Sequence, residues 1–341
     1  MDKKDICTSI GLHLNYYDLF SWSLTCKRTF KWLWDNDKFW KLKLNRDFPS
    51  FSNVKTKDVT CLTFKKHYEN FNTELFIYDK DLNEPEIYNH VKFVACGGCS
   101  IVYITADSKL YQIYESRCKK LDHVPKEILS NAKDLKCSFY EFCILTHDNS
   151  LHLYLLGNNY ELLTVNNVKT FSMYGNYIAI IYLDDKINVL TLKKNIYEIS
   201  HEETLSGAEN IFIDISNILI QTKTKNKNTW YHMNVENPKL KSMGDKILLA
   251  NSKYGNICLL TKEHVIYHEF KHKHLMKNPK NIISNNDLLA ILDHDNTLYI
   301  SEMQNILTLD SSDILYEKTV NNVIDSTIGY KKLAVLSFSP K

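Results

Sequence analysis

The stretch VKFVACGGCSIVYITADSKLYQIY, residues 91–114, decides the fold. It reads as an apolar strand, a tight gap holding glycine, a second apolar strand, a polar turn and a third strand. Working outward, the same order recurs in DLKCSFYEFCILTHDNSLHLYLL (134–156), VKTFSMYGNYIAIIYLDDKINVLTL (168–192) and KILLANSKYGNICLLTKEHVIYHEF (246–270). It recurs in NIISNNDLLAILDHDNTLYISEM (281–303) and NVIDSTIGYKKLAVLSFSPK (322–341), and in weaker form from Asn210. Starts at residues 91, 134, 168, 210, 246, 281 and 322 give a mean spacing of about 38 residues, the length of a propeller blade. Gly98, Gly175, Gly255 and Gly329 fall at nearly one place in four copies, where the chain must bend sharply between strands. The last copy stops after two strands. The segment ELFIYDKDLNEPEIYNH (74–90) reads as its missing outer part, so the two ends are expected to share a sheet and leave no open edge. The arithmetic predicts an all-β propeller over residues 73–341 with seven blades, or six or eight if the weak fourth copy is misjudged.

Residues 1–49 have a different texture. Ile6, Ile10, Leu12 and Leu14 form a short apolar face, and Asp18 is placed to cap a helix carrying Leu19, Trp22, Leu24, Cys26 and Phe30. Asp35-Asn36-Asp37 is a second turn and cap, before Phe39, Trp40, Leu42 and Leu44, and Pro49 stops that face. The spacing predicts a small all-α N-terminal module over 1–49 and a linker over 50–72 with a helix at 57–70. About 45 residues make a thin core that needs support from a partner or a neighbouring domain.

Composition narrows the function. Hydrophobic residues are 44% and charged residues 24%, ordinary for a soluble globular chain. No apolar run reaches the length of a membrane helix, and the N-terminus lacks a signal-peptide core. The nine scattered cysteines suit free thiols in a reducing compartment. Cytoplasm or nucleus is therefore the expected location. The Lys, Asn and Ile richness suits an AT-rich genome such as that of a large DNA virus, which would place the protein in the host cell. The net charge of +2, with Arg28, Arg46 and Arg117 the only arginines, argues against nucleic acid as a partner.

No constellation marks chemistry. Cys96-Gly97-Gly98-Cys99 has metal-pair spacing but no second pair, and reads as a strand end and turn. His268, His272 and His274 read as a solvated edge. Asp107, Asp148, Asp184, Asp185 and Asp295 occur at one turn per blade, so they read as hairpin residues rather than a calcium loop. No phosphate loop, nucleophile elbow or zinc-protease motif occurs. The expectation is a non-enzyme with no cofactor, no metal and no membrane partner.

Two resemblances add to this reading. YYDLFSWSLTCKRTFKWLWDNDKFWKLKLNRDFP (16–49) resembles the later helices of the F-box. The matching residues are Leu14, Asp18-Leu19, Leu24-Thr25-Cys26-Lys27-Arg28 with Phe30, and Phe39-Trp40-Lys41 ending in Arg46-Asp47-Phe48-Pro49. Asp2-Lys3 stands where the family opens with Leu-Pro. The repeats resemble those of the regulator of chromosome condensation family, with Ser108, Asn149, Asp185 and Asn296 in place of its later turn glycine. The Trp-Asp pairs of WD repeats and the double-glycine series of Kelch repeats are missing, Gly97-Gly98 being a single instance.

The F-box resemblance implies a substrate-recognition adaptor of a cullin-type ubiquitin ligase. Ile6, Ile10, Leu14, Asp18, Leu19 and Leu24 would then lie at or beneath the interface with the cullin-linked adaptor protein. The propeller would hold an unknown target. The alternative is a non-catalytic propeller scaffold that binds a small GTPase, chromatin or another protein, with the helical segment as a cap.

Overall fold

The computed structural model describes residues 3–14, 19, 22, 30–34, 36–47, 65, 69, 72–79, 84–98, 100–114, 117–156, 161–193, 196–214, 217–224, 227–235, 238–244, 247–253, 256–261, 264–267, 270–273, 279–284, 288–302, 318–328 and 332–338, some by their backbone alone. Alternating apolar residues separated by polar hairpins build antiparallel four-stranded sheets. Six are each drawn from one unbroken run. Blade I runs from Val91 to Leu121, II from Ala132 to Val165, III from Val168 to Thr204, IV from Ala208 to Gly244, V from Ile247 to Lys273 and VI from Pro279 to Val320. The remaining sheet is composite, in the order Glu86–Asn89, Thr73–Asp79, Lys332–Phe338, Val323–Ile328. Its seam pairs Leu75 with Leu336 and Ile77 with Ala334. The first strands of successive sheets touch around a closed circuit, and the core lies between sheets.

The first strand of every sheet, innermost in the ring, carries a register irregularity at the same place. Examples fall between Val91 and Phe93, Ala132 and Asp134, Val168 and Thr170, and Val323 and Asp325. A bulge bends the strand and increases its twist, so each inner strand can follow the ring. The hairpins between second and third strands turn through Ser108, Asn149, Asp185 and Asn296, whose φ angles are 62°, 65°, 65° and 61°. These are the residues read from the sequence as glycine replacements. Asn and Asp tolerate this left-handed region better than most residues.

The expected fold class needs correction. Consecutive chain completes six blades. The seventh repeat supplies only two strands to a composite sheet, so seven like blades behind a separate all-α module is not the arrangement. At the N-terminus the described residues hold α1 (Lys3–His13), a five-residue π-helical turn at Phe30–Trp34 and α2 (Asp37–Asp47), and Leu19 and Trp22 are helical as well. Leu19, Leu33, Trp34, Phe39, Trp40 and Leu44 are buried together, but Ala106 of a blade I hairpin packs against this cluster. The helices therefore lean on the propeller, as a core this thin requires. Lys43 joins α2 to the end of α1. It is 1% exposed, and its Nζ donates to Leu12 O at 3.1 Å, Leu14 O at 2.6 Å and Asp47 Oδ2 at 2.9 Å. A cation suits the carbonyl end of a helix. Asn36 caps α2, accepting the N–H of Phe39 at 3.4 Å. Most of the expected 57–70 helix lies outside the described residues. Within it, Lys65 Nζ sits 4.1 Å from the centre of the Trp34 ring.

Candidate functional site: the central channel and its aromatic mouth

The inner strands line a central cavity of about 280 Å³. In blade II, blade VI and the composite sheet the third position of the inner strand carries an acid or amide whose side chain meets the next backbone N–H. Asp134 Oδ1 accepts Leu135 N–H, Asn281 Oδ1 accepts Ile282 N–H and Asp325 Oδ1 accepts Ser326 N–H, each at 2.8 Å. Lys136 reaches back to Asp134 Oδ2 at 3.5 Å. The carboxylates of Asp134 and then Asp325 hold the Lys136 ammonium above its ordinary value, against the desolvation cost. Burial pushes the Asp325 carboxyl up, and Lys136 only partly offsets this. One cation thus lies between two acids, which leaves this trio with at most one excess negative charge.

Channel hydroxyls join one sheet to the next. Cys96 N–H donates to Thr327 Oγ1 at 3.3 Å, Ser138 Oγ donates to Gly175 O at 3.1 Å and Ile213 N–H donates to Ser172 Oγ at 3.1 Å. These bonds tie the composite sheet to blade I, blade II to blade III and blade III to blade IV.

The two ends of the propeller differ. The end that carries the hairpins through Ser108 and Asn149 is where Ala106 meets the helical cluster. The opposite end carries the turns between first and second strands, and there aromatic residues gather. Phe139 stands edge-on to Tyr174 with ring centres 5.5 Å apart, and Tyr140 follows at 6.5 Å. Tyr140 is 72% exposed, the most exposed of the large apolar side chains described. Burial, with Asp214 adding to it, raises the Tyr174 hydroxyl to about 12, so that residue stays neutral and packs. The Tyr140 backbone is held in the turn, where its carbonyl accepts the N–H of Leu156 at 2.6 Å.

The residues singled out in the sequence are dispersed. Ile6 and Ile10, one turn apart on α1, are 44% and 46% exposed, whereas Leu19 is fully buried and Leu14 half-buried. Asp18 and Leu24 lie outside the described residues. Cys96 is buried, with its Sγ 3.8 Å from Thr327 O; Cys99 lies outside the described residues. His272 is on the strand Phe270–Lys273, and His268 and His274 lie outside. Among the described residues no group of three His, Cys, Asp or Glu is placed to hold a metal. Asp107 and Asp148 accept the hydroxyls of Thr105 and Thr146 inside their own hairpins. The channel residues Asp134, Lys136 and Asp325 were not singled out. The signal of Asp134 and Asp325 is an acid at the third position of an inner strand, legible only once the bulges are aligned.

No protein-family model and no curated protein matches the chain. Solved structures do. Human WBSCR16 is similar with a TM-score of 0.59 at 9% identity, over 79% of this chain and 100% of that one. Prp20p from Saccharomyces cerevisiae, described with its binding properties to Gsp1p and histones, gives 0.60 at 10% identity, over 83% and 96%. Yeast RCC1 (Prp20) bound to Kap60 gives 0.58 at 10%, over 79% and 90%. The fold is therefore that of RCC1-like β-propellers. Among the described residues, no helix is long and apolar enough to cross a membrane.

Proposed function

We propose that this chain is a non-catalytic propeller scaffold that grips a partner protein at the turn end, around Tyr140, while the helical segment caps the opposite end. One observation carries the reading. Tyr140 stands exposed on a turn fixed by the Leu156 bond and backed by the Phe139–Tyr174 pair. A rigid tyrosine over a packed aromatic base is the anchor type that dominates protein interfaces. The similar Prp20p supports two candidate partners, a small GTPase of the Gsp1p kind and histones. With a net charge of +2 and three arginines, the GTPase is the better candidate.

The test is a binding titration of purified full-length chain with Gsp1p and with core histones, using wild type and Tyr140→Ala. Saturable binding that weakens about 30-fold in the variant supports the reading, since an anchor residue contributes about 2 kcal/mol or more. Binding unchanged by the variant places the contact elsewhere. Binding to neither protein removes both candidates.

A second contact is favoured by Ile6 and Ile10, which present an apolar pair to solvent on α1. The cullin-linked adaptor is the partner to test there. Co-purification lost in Ile6→Asp/Ile10→Asp would support that docking, and no co-purification with wild type would remove it.

A further inference from the structure

Blades I and II face each other across a strip of surface that reaches the turn end. Blade I supplies its third and fourth strands, Leu110–Tyr114 and Arg117–Leu121. Leu110 and Leu121 pack towards blade II, whereas Ile113 packs towards the composite sheet. Side chains alternate across a strand. Tyr114 therefore lies on the blade II side, together with its cross-strand partner Arg117 and with Lys119, the partner of Gln112. His123, in the connection between the two blades, agrees with that direction. Its ring meets Tyr154 of blade II at 5.9 Å, and burial and then the Lys119 ammonium hold the imidazole below its ordinary value.

Blade II supplies the facing wall. Phe142, Ile144 and Tyr154 pack towards blade I, with Leu156 half-buried against the same cluster. Tyr140, two residues before Phe142, continues that face at the turn end. Tyr140 is 72% and Tyr114 47% exposed, and Arg117 and Lys119 are exposed as well. Arg117 and Lys119 make no ion pair among the described residues, whereas Lys120, on the other face of the strand, is paired with Asp122. Glu161 on the blade II wall is already met by His152 at 2.7 Å and by the Thr164 hydroxyl. The strip therefore offers two tyrosines and two cations to solvent.

We propose that the strip between blades I and II takes an extended acidic segment of the partner protein, with Asp or Glu side chains on Arg117 and Lys119 and the rest of the segment over Tyr114 and Tyr140. Charge complementarity names the occupant: two cations without a counter-charge favour carboxylates and repel a basic segment. Arg117 and Lys119 stand about 7 Å apart along one strand, which is also the spacing of alternate residues in an extended chain. The guanidinium of Arg117 can hold a carboxylate with two parallel bonds. Tyrosine and arginine are the residue types that carry most of the energy in protein interfaces. This occupant rests on the partner reading above, in that it is part of a protein gripped at the turn end.

The test is a fluorescence-anisotropy titration of the full-length chain at low salt with two labelled probes, decaglutamate, which self-repulsion keeps extended, and decalysine. Wild type is expected to bind decaglutamate and not decalysine. Arg117→Glu/Lys119→Glu should weaken decaglutamate about tenfold or more, and added salt should weaken it further. Lys31→Glu/Lys38→Glu makes the same change of charge at exposed positions of the helical segment and should leave binding unchanged. Circular dichroism establishes that both double variants are folded. No binding of decaglutamate to wild type overturns the proposal, as does tighter binding of decalysine or an equal loss in the two double variants. Repeating the partner titration above with Arg117→Glu/Lys119→Glu separates the two readings. Partner binding lost in Tyr140→Ala but kept in that double variant overturns the acidic strip and leaves the turn-end grip standing. Partner binding unchanged in Tyr140→Ala overturns the grip at Tyr140, and decaglutamate still decides the strip.

Discussion

The backbone N–H of Cys96, in the first strand of blade I, donates to Thr327 Oγ1 in the composite sheet at 3.3 Å, across 231 residues of chain. That bond links the composite sheet to blade I, on the circuit between the last strands and the first complete blade. Thr327→Val keeps the shape and removes the acceptor of this bond. The expected loss is about 1–2 kcal/mol, read as a shift in the urea midpoint at constant slope.

Two glycines on inner turns are expected to behave differently under the same change. A Cβ on Gly97 would lie 2.1 Å from Ser138 O and 2.5 Å from Cys137 C, both backbone atoms of the next blade. Gly97→Ala must push blade II away, and a loss of about 4 kcal/mol or failure to fold is expected. Gly175 has φ +54° and open space around its Cβ position, so Gly175→Ala costs only the left-handed backbone, about 1 kcal/mol. Thermal melts of the two variants measure the contrast.

Ser108 offers the reverse experiment. Its φ of 62° is strained for serine, and Ser108→Gly relieves that at a smaller entropic cost. A gain of about 0.5 kcal/mol is expected, seen as a rise in melting temperature of a degree or two.

Glu141 is 3% exposed, and burial raises its carboxyl above the ordinary 4.5, with the Tyr140 backbone bond opposing. The folded state thus holds this proton more tightly than the unfolded chain. The protonated carboxyl is the better-tolerated form, and its contribution is present below the unfolded value and lost as pH rises through the folded one. Glu141→Gln should therefore raise stability near neutral pH. The advantage should shrink on acidification towards 4.5, as measured by melts of both proteins across that range.

Lys43 tests the helical cap. Lys43→Met keeps most of the volume but removes the donor that now meets the carbonyls of Leu12 and Leu14 and the Asp47 carboxylate. A loss of about 2–3 kcal/mol in the unfolding of the helical segment is expected, because buried acceptors lose a charged donor. Fluorescence of Trp34 and Trp40, both buried in that cluster, reports it.

Much of the propeller was legible because a strand's side-chain period is short and local. Runs such as IVYIT and FCILT alternate or saturate with apolar residues between polar hairpins, and Ser108, Asn149, Asp185 and Asn296 mark the turns by residue type alone. Ile6 and Ile10 were legible only as a short apolar face; the structure leaves both exposed, because Leu19, Trp34, Phe39 and Trp40 fill the core without them.

The sequence by itself determined the repeat, the strand order within each blade and the left-handed turn positions, since these depend on contacts and backbone preferences within a few residues. Only the tertiary structure decided that consecutive chain completes six blades. It alone set Asp325 beside Lys136 and exposed Tyr140 at one end. Each of those depends on which blades become neighbours, and that is fixed by packing between residues far apart in the chain, where local periodicity carries no information.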